Sequence, residues 1–255
     1  MDIKPRPALT PWLTPLMPNP EAKYRLFCFP YAGAGSGIFR TWKNFLPAEI
    51  ELFGVQLPGR ENRYKEPLIK DFTQALNQLA QVMLPFLDKP FVLFGYSKGA
   101  LFAYELALKW QQQGIKAQHL IIAASRPPAE IAADVSFKAA AISSEGTLKK
   151  IQDYQGTPQQ VLNSKELLQI FIPILQADFS LLSTYQPSEN GCVDCPISVL
   201  YGQKEADNSA IQANKWQDHT TQDCTLYSLP GGHFFIDDSP EELQEVLINL
   251  CHNFL

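Results

Sequence analysis

The sequence has little of what marks several classes of protein. No apolar run approaches the roughly 18 residues that a membrane-spanning helix needs, so we expect no membrane partner. Lys and Arg number 21 against 26 Asp and Glu, and the formal net charge of −5 leaves no basic stripe for nucleic acid. The proline-rich start, residues 1–21, lacks the apolar segment of a secretory signal. These absences predict a cytoplasmic protein that binds neither nucleic acid nor membrane.

Cysteine and histidine are also sparse, with five and four residues. Cys192 and Cys195 form a single CxxC, a pattern found in redox proteins and in zinc sites. No second CxxC and no closely spaced histidine pair completes a zinc site. We therefore favour a loop with two free thiols over redox chemistry, and we expect no metal and no cofactor.

The apolar content is sufficient for a large core, since 45% of the 255 residues are hydrophobic. Short apolar runs alternate with helical patterns, and several runs are apolar at every position, which is typical of strands covered on both faces. This alternation predicts an α/β fold whose mostly parallel sheet is flanked by helices. The predicted strands are Tyr24–Phe29, Glu51–Gln56, Phe91–Phe94, His119–Ala124, Ile197–Tyr201 and Cys224–Leu229.

The predicted organisation is one domain, residues 23–255, preceded by an N-terminal arm, residues 1–22, that is extended on the domain or disordered. An insertion at about 128–186 contains helical patterns and no convincing strand. A short helix is predicted to start at Thr157-Pro158, and a longer one covers Lys165–Leu182. The insertion fits a helical bundle packed on the core and also a helical lid over an active site. We favour the lid.

One motif carries specific chemistry: Gly95-Tyr96-Ser97-Lys98-Gly99 matches G-x-S-x-G. It follows an apolar strand and opens a helical pattern, which is the setting of a nucleophile elbow in an α/β-hydrolase fold. The glycines let strand and helix approach at a tight turn that presents the serine hydroxyl. We therefore predict Ser97 as the nucleophile and the Lys98 N–H as an oxyanion donor. The alternative is an ordinary glycine-rich turn.

The base that would activate this serine is found by elimination among the four histidines. His119 lies at the N-terminal start of a strand and His219 precedes the last strand, so both lie at the wrong edge of the sheet for a site at the strands' C-terminal ends. His252 lies near the chain end within the final helix. His233 follows the last strand, and two glycines before it suit a sharply turning loop. We predict His233 as the base; a plain surface-loop histidine is the alternative.

The acid that would orient His233 is expected after a late strand, because chains of this fold carry serine, acid and histidine in that order. Glu205 and Asp207 both follow the predicted strand Ile197–Tyr201. Position alone leaves either carboxylate able to serve.

Further motifs extend over nearly the whole chain after about Lys23. The motifs are Phe29-Pro30-Tyr31-Ala32-Gly33-Ala34-Gly35-Ser36 with Phe39-Arg40 and Trp42, Gln56-Leu57-Pro58-Gly59-Arg60-Glu61, Arg126-Pro127-Pro128, Gly156-Thr157-Pro158, Ala177-Asp178-Phe179, Thr184-Tyr185 and Gly231-Gly232-His233-Phe234-Phe235. Together with the elbow, this ordered set resembles the type II thioesterases, the stand-alone editing hydrolases of nonribosomal-peptide and polyketide assembly lines.

The resemblance implies that Ala32 supplies the second oxyanion N–H. The chain departs from the family at Tyr96, where His is usual, and at Lys98, where an apolar residue is usual and where a positive charge would be added near the thioester. The family usually has Asp at the position of Glu205. This correspondence and the spacing to Trp216 favour Glu205 over Asp207.

The function implied is hydrolysis of acyl or aminoacyl thioesters on the phosphopantetheine arm of a carrier protein, by a monomer. Alternatives are a medium-chain fatty acyl thioesterase, a small-ester hydrolase and, least favoured, a non-catalytic module that binds acyl carriers. A basic surface formed by Arg40, Lys43, Arg60, Arg63 and Lys65 would meet the acidic carrier; ordinary solvated charge is the alternative.

Overall fold

A seven-stranded sheet forms the centre of the computed structural model, which describes residues 7–154, 164–189, 191–205 and 209–254. The strand order is β1-β3-β2-β4-β5-β6-β7, and every neighbouring pair is parallel except the antiparallel pair β1 and β3. All six predicted strands are present, with ends shifted by at most two residues. The strands are β1 Leu13–Met17, β2 Tyr24–Phe29, β3 Ile50–Val55, β4 Phe91–Tyr96, β5 His119–Ala123, β6 Ile197–Gly202 and β7 Cys224–Leu229.

Strand β1 lies inside the predicted N-terminal arm and has no counterpart among the predicted strands. It pairs with β3 at the edge of the sheet, and its register shifts between Pro15 and Met17. Proline cannot donate a hydrogen bond to a neighbouring strand and is tolerated only at sheet edges and irregularities. The prolines of this segment therefore argue against a strand in the sequence, although the edge position of β1 allows one.

Helices cover both faces of the sheet, and alternate strand residues therefore enter two different cores. Phe27 of β2 packs in the core on one face, with α1 and α2, whereas Leu26 packs in the core on the other, with the final helix. This double burial explains why the strands lack a polar alternation. The flanking helices are α1 Phe72–Met83, α2 Lys98–Gln111, α7 Ala210–Asn214, α8 Phe235–Asp238 and α9 Pro240–Phe254.

Four described helices are inserted between β5 and β6, in the region predicted to be helical. They are α3 Pro128–Ala132, α4 Ser136–Ile142, α5 Ser144–Asp153 and α6 Lys165–Ser183. The helix predicted at Thr157-Pro158 lies outside the described residues. Ser164 caps the N-terminus of α6, because its side chain accepts a hydrogen bond from the N–H of Leu167. The helix packs mainly on α4.

Helix α6 is long and apolar enough, by length and composition, to cross a membrane: it has 19 residues and a mean hydropathy of 1.3. The sequence analysis did not find such a segment. In the structure, Phe179, Leu181 and Leu182 of α6 are buried in the domain core, and Asp178 forms buried ion pairs. These contacts account for the apolar residues in the C-terminal part of α6, whereas Leu167, Ile170 and Phe171 in its N-terminal part are exposed.

Candidate active site

Ser97 lies at the bend between β4 and α2, in a conformation that is rare for residues other than glycine, with φ 52° and ψ −117°. The bend requires its two flanking glycines. A Cβ at Gly95 would lie 2.4 Å from the Cα of Ala100, and a Cβ at Gly99 would lie 2.1 Å from the carbonyl oxygen of Phe29. Such contacts with backbone atoms cannot be relieved by a side-chain rotation. The structure therefore gives the motif the geometry of a nucleophile elbow.

His233 comes from the loop after β7, as predicted, and its imidazole faces the serine. The distance from His233 Nε2 to Ser97 Oγ is 3.1 Å, within hydrogen-bond reach of a general base. The side chain is buried, and the ring of Tyr154, the residue after α5, lies against it with the centroids 4.4 Å apart and the planes at 33°. The two predicted partners, which are separated by 136 residues, are thus brought together.

The carboxylate beside His233 belongs to Glu205. Its Oε1 lies 2.5 Å from His233 Nδ1, so the carboxylate accepts a hydrogen bond from Nδ1–H and leaves Nε2 to accept from Ser97. The backbone around Gly202 fixes this approach, because a Cβ at Gly202 would lie 2.3 Å from the carbonyl oxygen of Gly232. The alternative acid, Asp207, lies outside the described residues. The geometry supports Glu205 as the orienting acid.

Two backbone donors are suitably placed for an oxyanion. The N–H of Lys98 starts helix α2, and the N–H of Ala32 lies in the loop after β2, which with Ser97 and His233 lines the cavity described below. Among the described residues, neither N–H has a backbone or side-chain acceptor. Gly33, at φ +85°, turns the loop. An oxyanion hole requires unpaired N–H groups close to the nucleophile, so Ala32 and Lys98 stay our predicted donors.

Tyr96, one of the departures from the family pattern, connects the elbow to the histidine loop. Its hydroxyl donates to the carbonyl oxygen of His233 at 2.6 Å and accepts from the N–H of Ile236 at 3.3 Å. Burial raises the pKa of Tyr96 well above its ordinary value, so the hydroxyl stays protonated and able to donate. Sequence reasoning did not identify this contact, because it depends on the path of a distant loop.

We expect the Tyr96→Phe variant to lose about 1 to 2 kcal/mol of stability, because the buried His233 carbonyl loses its donor. Its kcat should fall about tenfold, because the imidazole is less firmly positioned. Thermal unfolding and steady-state kinetics measure both effects. The matched control is Tyr227→Phe, a half-buried tyrosine on β7. Equal kcat values for the two variants would show that the Tyr96 hydroxyl has no positioning role.

A buried ion cluster lies behind the loop of Ala32. Arg60 binds both carboxylate oxygens of Asp178 from α6, at 2.6 and 2.9 Å, and Lys98 Nζ lies 3.0 Å from Asp178 Oδ2. The N–H of Gly33 donates to the same Oδ2 at 2.7 Å. The sequence analysis did not assign Asp178 a role, although its place in the Ala177-Asp178-Phe179 motif could have drawn attention to it.

The cluster also corrects two expectations about charge. Arg60 is only 4% exposed and Arg63 only 5%, so neither contributes to the predicted basic docking surface. Arg63 instead pairs with Glu66 and lies over the ring of Trp12. Arg40, Lys43 and Lys65 are exposed. The Lys98 ammonium, expected near the thioester, is directed to Asp178.

A cavity of about 890 Å³ opens beside Ser97 and His233. Its wall combines the loop after β2 with the inserted helices, so that Ile151 of α5 and Phe171, Ile174 and Leu175 of α6 contribute to it. The lining is largely apolar and large enough for a drug-sized acyl group. Among the described residues, no cluster of three or more His, Cys, Asp or Glu side chains could hold a metal ion.

Comparison with known proteins identifies the family. A family model described as a thioesterase domain matches residues 24–254. The chain belongs to the thioesterase family. This match confirms the predicted resemblance, the α/β fold class and the prediction that the chain is a hydrolase acting on thioesters.

Relatives and solved structures similar to this thioesterase align over nearly its whole length. It is 33% identical to linear gramicidin dehydrogenase LgrE of Brevibacillus parabrevis, over 96% of this chain and 94% of the relative. It is 32% identical to the gramicidin S biosynthesis protein GrsT of Aneurinibacillus migulanus, over 92% of each. The type II thioesterase BorB, from the borrelidin biosynthetic cluster, superimposes with a TM-score of 0.83 at 27% identity, covering 94% of this chain and 97% of BorB.

Proposed function

We propose that this thioesterase hydrolyses acyl or aminoacyl thioesters on the phosphopantetheine arm of carrier proteins that serve a nonribosomal-peptide or polyketide synthase. The observation that carries the proposal is the hydrogen-bonded series Glu205, His233 and Ser97, of which His233 and Ser97 line a largely apolar cavity. The similarity to BorB, a type II thioesterase, supports a substrate whose acyl group is bound to a carrier protein. Such an enzyme would remove unwanted acyl groups from carriers.

The first half of the reaction forms an acyl-enzyme. His233 Nε2 takes the proton of Ser97 Oγ as the oxygen attacks the thioester carbonyl. The N–H groups of Ala32 and Lys98 stabilise the oxyanion of the tetrahedral intermediate. The intermediate collapses with cleavage of the carbon–sulfur bond, and the pantetheine thiol leaves with the proton that His233 carried. Glu205 holds the imidazolium in place throughout.

The second half releases the acid. A water molecule loses a proton to His233 and attacks the acyl-enzyme carbonyl, again through an oxyanion held by the two N–H groups. The bond to Ser97 Oγ breaks, and His233 returns its proton to that oxygen. The products are a carboxylic acid and the regenerated serine. Every proton is transferred by His233.

The inserted helices would act as a lid that shapes the acyl chamber. Phe171 and Leu175 of α6 line the cavity, and Tyr154, which follows α5, lies against the imidazole. Phe179 of the same helix is buried in the core and also lines the cavity, so α6 both packs on the domain and covers the site. The monomeric state and the cytoplasmic location stay predictions.

We expect kcat/KM for an acyl-carrier protein to exceed that for the matching acyl-CoA by at least about tenfold, since docking of the carrier adds binding energy of 1.4 kcal/mol or more. Competing hydrolysis assays with acyl-carrier protein, acyl-CoA and a p-nitrophenyl ester measure this order. Equal use of acyl-CoA and carrier would favour the fatty acyl alternative. A preference for the p-nitrophenyl ester would contradict the proposal.

A further inference from the structure

The side chain of Lys98 is buried, so its charged ammonium is removed from water at a cost in free energy that an apolar side chain would not have. Its side chain is 1% exposed, and that of Asp178 is fully buried. The ammonium lies 3.0 Å from Asp178 Oδ2. Replacing such a buried charge with an apolar side chain often stabilises a protein, provided that the remaining charges stay paired. Here Arg60 and Asp178 would remain paired through two hydrogen bonds.

The cluster holds two cations and one anion. Burial would raise the pKa of Asp178, but Arg60 and Lys98 lower it to about 2, so the carboxylate is ionised. Burial lowers the pKa of Lys98 to about 8, with Asp178 acting against burial and Arg60 adding to it, so most molecules carry the ammonium at pH 7. The cluster therefore has one surplus positive charge near neutral pH.

This charge lies directly behind the predicted oxyanion hole. One oxygen of Asp178 accepts from the N–H of Gly33, the residue after Ala32, and contacts the Lys98 ammonium. Lys98 also contributes its own backbone N–H to the hole. In a buried site, a positive charge within several ångströms stabilises a developing negative charge much more than it would in water.

We propose that the Lys98 side chain is a positioning residue for oxyanion stabilisation: held by Asp178, it orders the Gly33 peptide and leaves the Arg60–Asp178–Lys98 cluster with a surplus positive charge that favours the tetrahedral intermediate. The inference rests on the proposed function, since it concerns the same site. It explains why this chain keeps a buried lysine, at a cost in stability, one residue after the nucleophile.

The test compares the wild type with Lys98→Met, which keeps the backbone N–H and most of the side-chain volume. At pH 7 the variant should have a kcat about tenfold lower, a KM within about twofold of the wild type and an equal or higher Tm. A residue with a purely structural role would give the opposite pattern, lower stability with little change in kcat.

The ratio of wild-type to variant kcat should depend on pH. It should fall from about ten toward one as the pH rises through about 8, because the wild type then loses the ammonium that the variant lacks. Among the described residues, the charged groups acting on the Lys98 ammonium are Asp178 and Arg60, and the pKa of Asp178, lowered to about 2, keeps that carboxylate ionised throughout this range.

Lys116→Met is the matched control, because that lysine is exposed and pairs with Asp194 far from the site. It should change neither kcat nor the pH profile. Lys98→Arg, which keeps the charge, should retain a higher kcat than Lys98→Met. Full activity of a folded Lys98→Met would overturn the inference. If that variant does not fold, a wild-type kcat that does not decline through about pH 8 overturns it. A wild type inactive on every thioester would instead reject the proposed function.

Discussion

Replacing Ser97 with alanine is expected to lower kcat by on the order of 10⁶-fold, the largest effect of any single substitution in this thioesterase. Ser97 Oγ is the proposed nucleophile of the covalent step, and His233 Nε2 lies 3.1 Å from this hydroxyl. The binding cavity and the backbone donors stay in place, so KM for the thioester should change little. A small residual rate is expected from those donors alone.

Covalent labelling separates this loss of chemistry from a loss of folding. A fluorophosphonate probe should attach one phosphonyl group per molecule of the wild type and none to Ser97→Ala, as measured by intact mass spectrometry. Ser183→Ala is the matched control, because Ser183 is an exposed serine at the end of α6, and it should label like the wild type. Labelling of Ser97→Ala at full stoichiometry would place the nucleophile elsewhere. Absence of labelling in the wild type would favour the non-catalytic carrier-binding module.

The sheet and the elbow could be predicted because their signals are local. Strands buried on both faces are largely apolar, and β4, which is buried at every residue, begins at the predicted Phe91. The elbow needs glycines two residues to either side of Ser97, and the structure shows backbone atoms in the space that any Cβ would take. In both cases the sequence pattern and the physical reason for it lie within a few residues of each other. The strands and the elbow can therefore be predicted from the sequence alone.

The remaining features depend on how distant segments meet. Strand β1 contains Pro15, and only its place at the sheet edge makes it permissible. The contact of Asp178 with Gly33 joins residues 145 positions apart, and the Tyr96 contact with His233 joins residues 137 apart. Neither pair has a periodicity that could reveal it. The sequence places Arg60 among the surface charges, because a sequence does not show which charged side chains form buried ion pairs.

Glu205 was the least determined of the predicted catalytic residues for a similar reason. Two carboxylates that lie two residues apart in one loop differ only in the direction of the backbone. In the structure, the Lys204 N–H donates to the carbonyl oxygen of Gly231, and the Glu205 N–H donates to that of Gly202. These two bonds fix the loop against the glycines that precede His233, and the longer glutamate side chain then reaches Nδ1.

The second large effect is expected from Glu205→Gln, which should lower kcat by about 10³- to 10⁴-fold with little change in KM. The glutamine keeps the size of the side chain but cannot neutralise the imidazolium that forms in both halves of the reaction. Its amide NH₂ could also face Nδ1 and favour the tautomer that carries its proton on Nε2. That tautomer cannot accept a proton from Ser97. Steady-state kinetics across pH 6 to 9 measure the loss.

Asp207→Asn is the matched control, since it removes the other candidate carboxylate, and its kcat should stay within a few-fold of the wild type. Glu205→Asp provides the positive arm: it restores the charge with a shorter reach, so its kcat should lie well above that of Glu205→Gln. This result would show that the reaction needs the negative charge at position 205 and not only a side chain of that size. If Asp207→Asn were the inactive variant and Glu205→Gln remained active, the imidazole would be oriented by Asp207, and the 2.5 Å contact between Glu205 and His233 would have no catalytic role.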